Sequence, residues 1–273
     1  SYAGMKDRHA VTEQWFSVHL PGREEPDWSA MDSDTLTVLR QTRHSRKLRR
    51  GTLKGNRFSI TLRDIAGDRQ SLEQRLLRVR DQGVPNYFGE QRFGRGGSNL
   101  YTADSLFKKP KMRLSRNKRG LVLSAARSFL FNQLLSARVQ AGSWNTPIPG
   151  DAMQLQGSHS YFIADTIDAG LMSRVASQDV HPTGPLHGRG DSPVKADSLA
   201  LENALLGTYA DWCEGLEQAG LVQDRRALRL GVTDLAWQWT DAGELVLDFS
   251  LPAGAYATSV LREVACCKVA ERH

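Results

Sequence analysis

The chain has 273 residues, 40% of them apolar and 24% charged, and a formal net charge of +6. These proportions belong to a soluble globular protein with room for one large domain or two ordinary ones. No stretch approaches the ~18 apolar residues of a membrane span. No basic segment leads into an apolar run as in a secretory signal, so the expected location is the cytoplasm, with no membrane partner.

The sequence starts without Met, inside the stretch SYAGMKDRHAVTEQW, and residues upstream of Ser1 are expected in the native protein. Thr12 to Leu20 alternates as a strand, with Trp15, Ser17 and His19 opposite Phe16, Val18 and Leu20. Residues 21–34 form a polar loop, and 35–43 and 57–65 are again strand-like. Asp68 is placed as an N-cap, Leu72, Leu76 and Val79 share one helix face, and Gly83 ends that helix. GVPNYFGEQRFGRGG, rich in Gly and aromatics without a sustained period, predicts an ordered loop. Residues 117–141 predict a long helix closed by Gly142, with Leu121, Ala125, Phe129 and Leu135 in its core face. Short strands are expected in 153–164, a loop over 180–198, a helix over 199–219, and a hairpin of 235–239 and 245–251 around Asp241-Ala242-Gly243. A closing helix spans 256–269. Strands, a helical middle, then strands and a helix predict an α+β domain interrupted by an insertion.

Charge is unevenly spread. Residues 1–82 carry 16 basic and 11 acidic side chains, residues 83–119 carry 9 and 2, and both later segments are net negative. No acid occurs between Thr35 and Arg63, a span that holds Arg46, Lys47, Arg49, Arg50 and Lys54. A second run contains Lys108, Lys109, Lys111, Arg113, Arg116, Lys118 and Arg119. Two such clusters favour a polyanion, since each neutralised phosphate releases condensed counterions. Cys213, Cys266 and Cys267 have no CxxC or CxxH spacing and predict reduced thiols. The histidines are too scattered for a ligand set, so no metal is expected. GxxxxGK[ST], GxSxG, HExxH and GxGxxG before a helix are all missing from the sequence. GRGDSP at 188–193 is read as chance.

Three stretches are left to carry chemistry. In GMKDRH, Lys6 and Arg8 flank Asp7 and favour its ionised form, in which a carboxylate serves as nucleophile or base. A strand-entry Asp in a salt bridge would look the same. In KGNRF, Asn56 and Phe58 lie at i and i+2 on one strand face, offering an amide edge and a stacking plane to an unstacked base. LPAGAYATSVLRE places a turn before a helix N-terminus, where anions are favoured.

Taken together, YAGMKDRHAVTEQ (2–14), KGNRF (54–58), GVPNYFGEQRFG (83–94), NKRGLVLSAARSFLFNQ (117–133) and LPAGAYATSVLRE (251–263) resemble the tRNA pseudouridine synthase D (TruD) family, in that family's order. The resemblance implies a synthase domain with a mixed, mainly antiparallel sheet, formed by 1–82 and 231–273 and lacking its N-terminal part. It is interrupted by an inserted α+β TRUD domain at 83–230. It further implies isomerisation of uridine 13 of tRNA to pseudouridine, without cofactor or metal, by a monomer. Asp7 corresponds to the family's essential aspartate, and Asn56 and Phe58 to its Asn-x-Phe pair. Lys6 and Arg8 would accompany Asp7 at the substrate. Phe58 would stack on a flipped uracil, whose extrusion from a duplex costs ~2–4 kcal/mol. Arg46, Lys47, Arg49, Arg50, Lys54, Lys118 and Arg119 would hold RNA phosphates. Asp7 then attacks the anomeric carbon, adds to carbon 6, or removes a ribose proton. A tRNA-binding protein without turnover would not need an intact KDR, and a nuclease would want clustered carboxylates.

Overall fold

In a computed structural model the described residues are 1–7, 10–109 and 111–267. They divide into two compact units, Ser1–Asn56 and Arg57–His273. The first has little regular structure. A 3-10 turn at Trp28–Met31 starts where the Asp27 carboxylate accepts the Ser29 amide at 3.0 Å. Isolated bridges pair Tyr2 with Phe16 and Ser33 with Leu36. The strands expected over 12–20 and 35–43 do not form. Alternation makes a strand only when another ladder satisfies its backbone and one face is buried. Here Trp15 is 48% and Val18 59% exposed, from opposite sides of the pattern.

The regular elements are β1 (Gly55–Leu62), α1 (Arg69–Gln82), β2 (Val84–Pro85), α2 (Ser98–Lys108), α3 (Arg116–Gln140), β3 (Ala152–Leu155) and β4 (Tyr161–Ile163). Then come α4 (Ala169–Ala176), β5 (Val180–Leu186), α5 (Ala196–Gly207), α6 (Ala210–Gln218), β6 (Asp224–Ala227), β7 (Arg229–Leu230), β8 (Thr233–Trp239), β9 (Leu245–Pro252) and α7 (Ala257–Val264).

One sheet has the order β1-β9-β8. Its middle strand buries Leu245, Leu247, Phe249 and Leu251 at alternate positions, as the hairpin pattern predicts. Against that face pack Leu72, Leu76 and Val79 of α1 and Val260 and Val264 of α7. Truncating a fully buried member such as Leu76 to Ala would cost ~2–5 kcal/mol. The Asp68 carboxylate caps α1 by accepting the Gln70 and Ser71 amides at 3.3 and 2.7 Å. Gly83 stops α1 at φ +73°, and a Cβ there would lie 2.6 Å from the Leu230 carbonyl oxygen. Glycine is therefore required where α1 turns into the β2–β7 pair.

Between the first and last strands of that sheet the chain builds a second sheet, β4-β3-β5-β6, antiparallel at every pairing. α3 buries Phe131, Leu134 and Leu135 with Leu228, next to this sheet. Its other side packs on α2 and α6 through Leu106, Val122, Leu130 and Leu216. Three expectations need correction. Leu121, expected in the core face of α3, is 55% exposed, because the helix buries its neighbours Val122 and Leu123 instead. The segment 180–198, expected as a loop, contains the interior strand β5 with Pro182 and Pro185 inside it. Their missing N–H groups are tolerated because the strand still accepts: the Pro182 carbonyl takes the Leu228 amide at 2.8 Å. The helix expected over 199–219 is two helices, broken at Thr208-Tyr209.

Buried charges tie this half together. Arg138 forks onto Asp151 at 3.0 and 2.8 Å, and Asp151 also accepts Ser198 Oγ and the Ile148 amide. Arg225 forks onto Glu202 at 2.6 and 3.2 Å while its Nε donates to Thr183 Oγ1. Removing one partner from such a pair costs ~3–5 kcal/mol, because the other is left buried and unpaired. Arg229 Nε donates to His181 Nδ1 at 2.8 Å, which assigns the ring proton to Nε2 and its donation to Gln156 Oε1 at 2.7 Å.

Burial, reinforced by the Arg229 charge, lowers the His181 pKa from its ordinary 6.5 to about 4, with Asp179 opposing weakly. The unfolded chain thus binds a proton that the folded chain refuses. The stability from neutral His181 is complete above pH 6.5 and is lost as the pH falls toward about 4. Unfolding free energies from urea titration of the wild type should therefore fall more steeply over this window than those of His181→Gln, by up to ~1.4 kcal/mol per pH unit. Equal slopes would show that His181 carries its proton in the folded chain.

Candidate active site

Within the first unit the two stretches singled out by sequence meet. Ser17 donates its amide to the Ser1 carbonyl at 2.8 Å and Gly51 donates to Ala3 at 2.7 Å. Arg50 lies over the Tyr2 ring, 5.4 Å from its centroid, and donates to its hydroxyl at 3.0 Å. Gly4 sits against Leu53. At the end of this seam Lys6 Nζ donates to Asn56 Oδ1 at 2.6 Å, across 50 residues of chain. The loop that carries Asp7 is thereby pinned to the start of β1. Asp7 itself is exposed. Arg8 lies outside the described residues.

Arg46, Lys47, Arg49, Arg50 and Lys54 are all exposed. The loop they share is anchored at Leu48, whose amide donates to Ser17 Oγ at 3.0 Å, and at Gly51. Five cations therefore stand in water on a segment whose backbone is tied to residues 1–17. In the second unit Phe58 is half-buried and stacks on Phe249, with centroids 5.4 Å apart and planes at 27°. That contact fixes the ring's orientation from one side.

The second basic run is less uniform than its sequence suggests. Lys108 pairs with Asp104 at 2.8 Å one helical turn back. The hydrogen bond raises the lysine pKa and lowers that of the aspartate. Lys118 reaches Asn99 Oδ1 at 3.1 Å, and the Ser115 hydroxyl caps the helix by accepting the Lys118 amide at 3.3 Å. Arg119 is half-buried, in a crevice lined by Phe107 and Gly215.

Sequence reasoning missed a further cluster built on VPNYFGEQRFG. Phe88 is held by Asn132, which accepts its amide at 2.9 Å and donates to its carbonyl at 3.0 Å. Over the Phe88 ring stand two guanidiniums, Arg226 at 4.2 Å and Arg92 at 5.4 Å. Arg92 donates to Ser124 Oγ at 3.1 Å and to the Tyr256 hydroxyl at 3.0 Å, joining α3 to the residue before α7. Arg226 donates to Asn86 Oδ1 at 2.6 Å and to the Gly254 carbonyl at 3.4 Å. The loop motif was visible in the sequence. Nothing local marked Arg226, one of three arginines in QDRRALRL.

No described helix is long and apolar enough to cross a membrane. Among the described residues no group of three or more His, Cys, Asp or Glu side chains is placed to hold a metal ion.

An α+β scaffold carrying a tethered carboxylate loop beside a bare cationic loop defines a class: a protein equipped for a polyanionic partner. The family model of tRNA pseudouridine synthase D (TruD) matches residues 1–104 and 98–264. A tRNA pseudouridine synthase D of Nitrosococcus oceani is 57% identical over 265 residues, covering 96% of this chain and 74% of that protein. One from Methylococcus capsulatus is 53% identical over 263 residues, with the same coverage of both chains. A crystal structure assigned to TruD of Methanosarcina mazei superposes with a TM-score of 0.61 at 21% identity, covering 84% of this chain and 72% of that one. The chain belongs to the tRNA pseudouridine synthase D family.

Proposed function

We propose that the chain isomerises uridine 13 of tRNA to pseudouridine, in the cytoplasm and as a monomer, with Asp7 as the essential carboxylate. The observation that carries this reading is the bond between Lys6 and Asn56. It joins the two stretches in which the family resemblance places the chemistry, and it holds the Asp7 loop at a fixed point on β1. The names of the relatives supply the reaction class and the tRNA substrate. We assign residues 1–82 and 231–273 to the synthase domain and 83–230 to its insertion. The sheet β1-β9-β8 supports that division by drawing its strands from both sides of the insertion.

In the reaction the bond between nitrogen 1 of uracil and the ribose breaks and a bond from carbon 5 forms. The proton lost from carbon 5 is balanced by one gained at nitrogen 1. Whether Asp7 attacks the anomeric carbon, adds to carbon 6 or takes a ribose proton, the carboxylate is the group that acts. Lys6 acts through Asn56 in ordering the loop, and Arg8 contributes a second cation. Phe58, steadied by Phe249, offers its remaining surface to the extruded base. The cations at 46–54, with Lys118 and Arg119, take flanking phosphates.

Asp7→Asn should abolish pseudouridine formation in a tRNA transcript while leaving tRNA affinity within about threefold, since one exposed carboxylate adds little to backbone contacts. Modification mapping at single-nucleotide resolution reads this, and equal product from both proteins would end the assignment of Asp7. Phe58→Ala should slow the reaction by roughly 5- to 150-fold, the equivalent of one lost base stack, and an unaltered single-turnover rate removes the stacking role. Reversing Arg46, Lys47, Arg49 and Arg50 to Glu should weaken binding and flatten its salt dependence. An unchanged slope would make that loop a solubility device.

A further inference from the structure

We propose that Arg92 and Arg226, over the Phe88 ring and beside the start of α7, form a built phosphate site for the RNA backbone, separate from the basic loops. This rests on the reading of the chain as a tRNA-binding protein. A guanidinium withdrawn from water is ordinarily matched by a carboxylate, as the fold does for Arg138 and Arg225. Here it is not. Among the described residues Arg92 and Arg226 donate only to neutral acceptors: a serine, a tyrosine, an asparagine and a backbone carbonyl. The Nε of each is buried without an acceptor. Two like charges thus lie against one aromatic ring, and no described carboxylate bonds to either.

Three features fit a phosphodiester as the missing anion. First, each guanidinium keeps Nη hydrogens that no described residue takes, and Nη1 of Arg226 has no acceptor at all among the described residues. A planar fork with free donors suits two non-bridging phosphate oxygens. Second, α7 begins at the same place. Its N-cap residue Tyr256 gives the first turn no side-chain hydrogen bond, while its hydroxyl and the Gly254 carbonyl hold the two arginines. Third, the loop and the helix are held close together. A Cβ on Gly89 would lie 3.3 Å from Thr258 Oγ1 and 3.4 Å from the Tyr256 ring, so the glycine lets the Phe88 loop seat directly on the first turn of α7. Arg226 remains a cation at neutral pH. Burial lowers its pKa to about 10, helped by the Arg92 charge and opposed by Tyr256, which still leaves it protonated.

The experiment has two arms. In the first, tRNA transcript binding is measured from roughly 50 to 200 mM salt. Arg226→Gln should lose about tenfold in affinity and flatten the log–log salt slope by about 0.7–0.9, the signature of one lost phosphate contact. Arg92→Gln should do the same, and it serves if the buried Arg226 variant does not fold. Arg174→Gln, at a half-buried arginine of α4 paired with Asp179, should change neither. In the second arm, inorganic phosphate is added without RNA at constant ionic strength. It should raise the melting temperature of the wild type and not that of Arg226→Gln. If the wild type binds no tRNA, the proposed function fails, and the phosphate arm still decides the site. Stabilisation by phosphate with an unchanged tRNA slope in both variants would mean a free-anion site and overturn the assignment to backbone. No phosphate effect and no change of slope would overturn the site altogether.

Discussion

A guanidinium carries five donors and cannot shed its charge, so each one that a fold withdraws from water dictates what must surround it. The stretch from Asp224 to Leu230 withdraws three. Arg225 fetches Glu202 from α5 and Thr183 from β5. Arg229 fetches His181 from β5 and the carbonyls of Val175 and Val180. Arg226 turns to the Phe88 loop and the approach to α7. Arg138 does for the end of α3 what Arg225 does for α5, by holding Asp151 at the entry to β3. The relative placement of the helices and the two sheets within the second unit follows from these demands as much as from apolar packing. A sheet on a helix can slide by a side chain at small cost, whereas a forked ion pair cannot.

The same arginines separate architecture from ligand binding. Where the protein itself supplies the counter-charge, the site is closed and structural, as at Arg138 and Arg225. Arg229 is closed instead by a neutral ring and two carbonyls, whereas Arg92 and Arg226 keep donors that no described residue takes. The 46–54 loop and the Phe88 cluster present their cations differently: one exposed on a segment tied to residues 1–17, the other partly withdrawn from water. A hydrated cation contributes attraction at range, which salt screens over about 10 Å. A desolvated fork contributes direction, since its donors point one way.

Much of this was open to sequence reasoning, and the limits have physical causes. Asp68 as a cap, the α1 face, the β8–β9 hairpin and the reach of α3 are local and periodic, and they formed where expected. β5 was hidden because proline is a sound argument against an interior strand. It fails here since Pro182 still offers its carbonyl, to the Leu228 amide, and both prolines keep their register with a neighbouring strand. The 12–20 and 35–43 patterns misled because alternation reports a preference for a pleated surface, and realising it needs a partner ladder. At the candidate site the motifs gave Asp7, Asn56 and Phe58 by family resemblance. The 50-residue contact between Lys6 and Asn56 and the placement of Arg226 are tertiary facts with no local signature.

The first sheet also sets a timetable. β1 pairs with β9, and roughly 180 residues must be made between them, which at ~5–20 residues per second takes about 10–40 s on the ribosome. For that interval β1 exists without its neighbour, and Phe58, Ile60 and Leu62 lack the apolar face they will join. The intervening segment has its own sheet, its own helical core and its own buried ion pairs. It is equipped to fold first and bring the tail back as a hairpin already paired within itself. The sheet that carries Asn56 and Phe58 on its first strand is therefore completed only after the segment between its strands has been made.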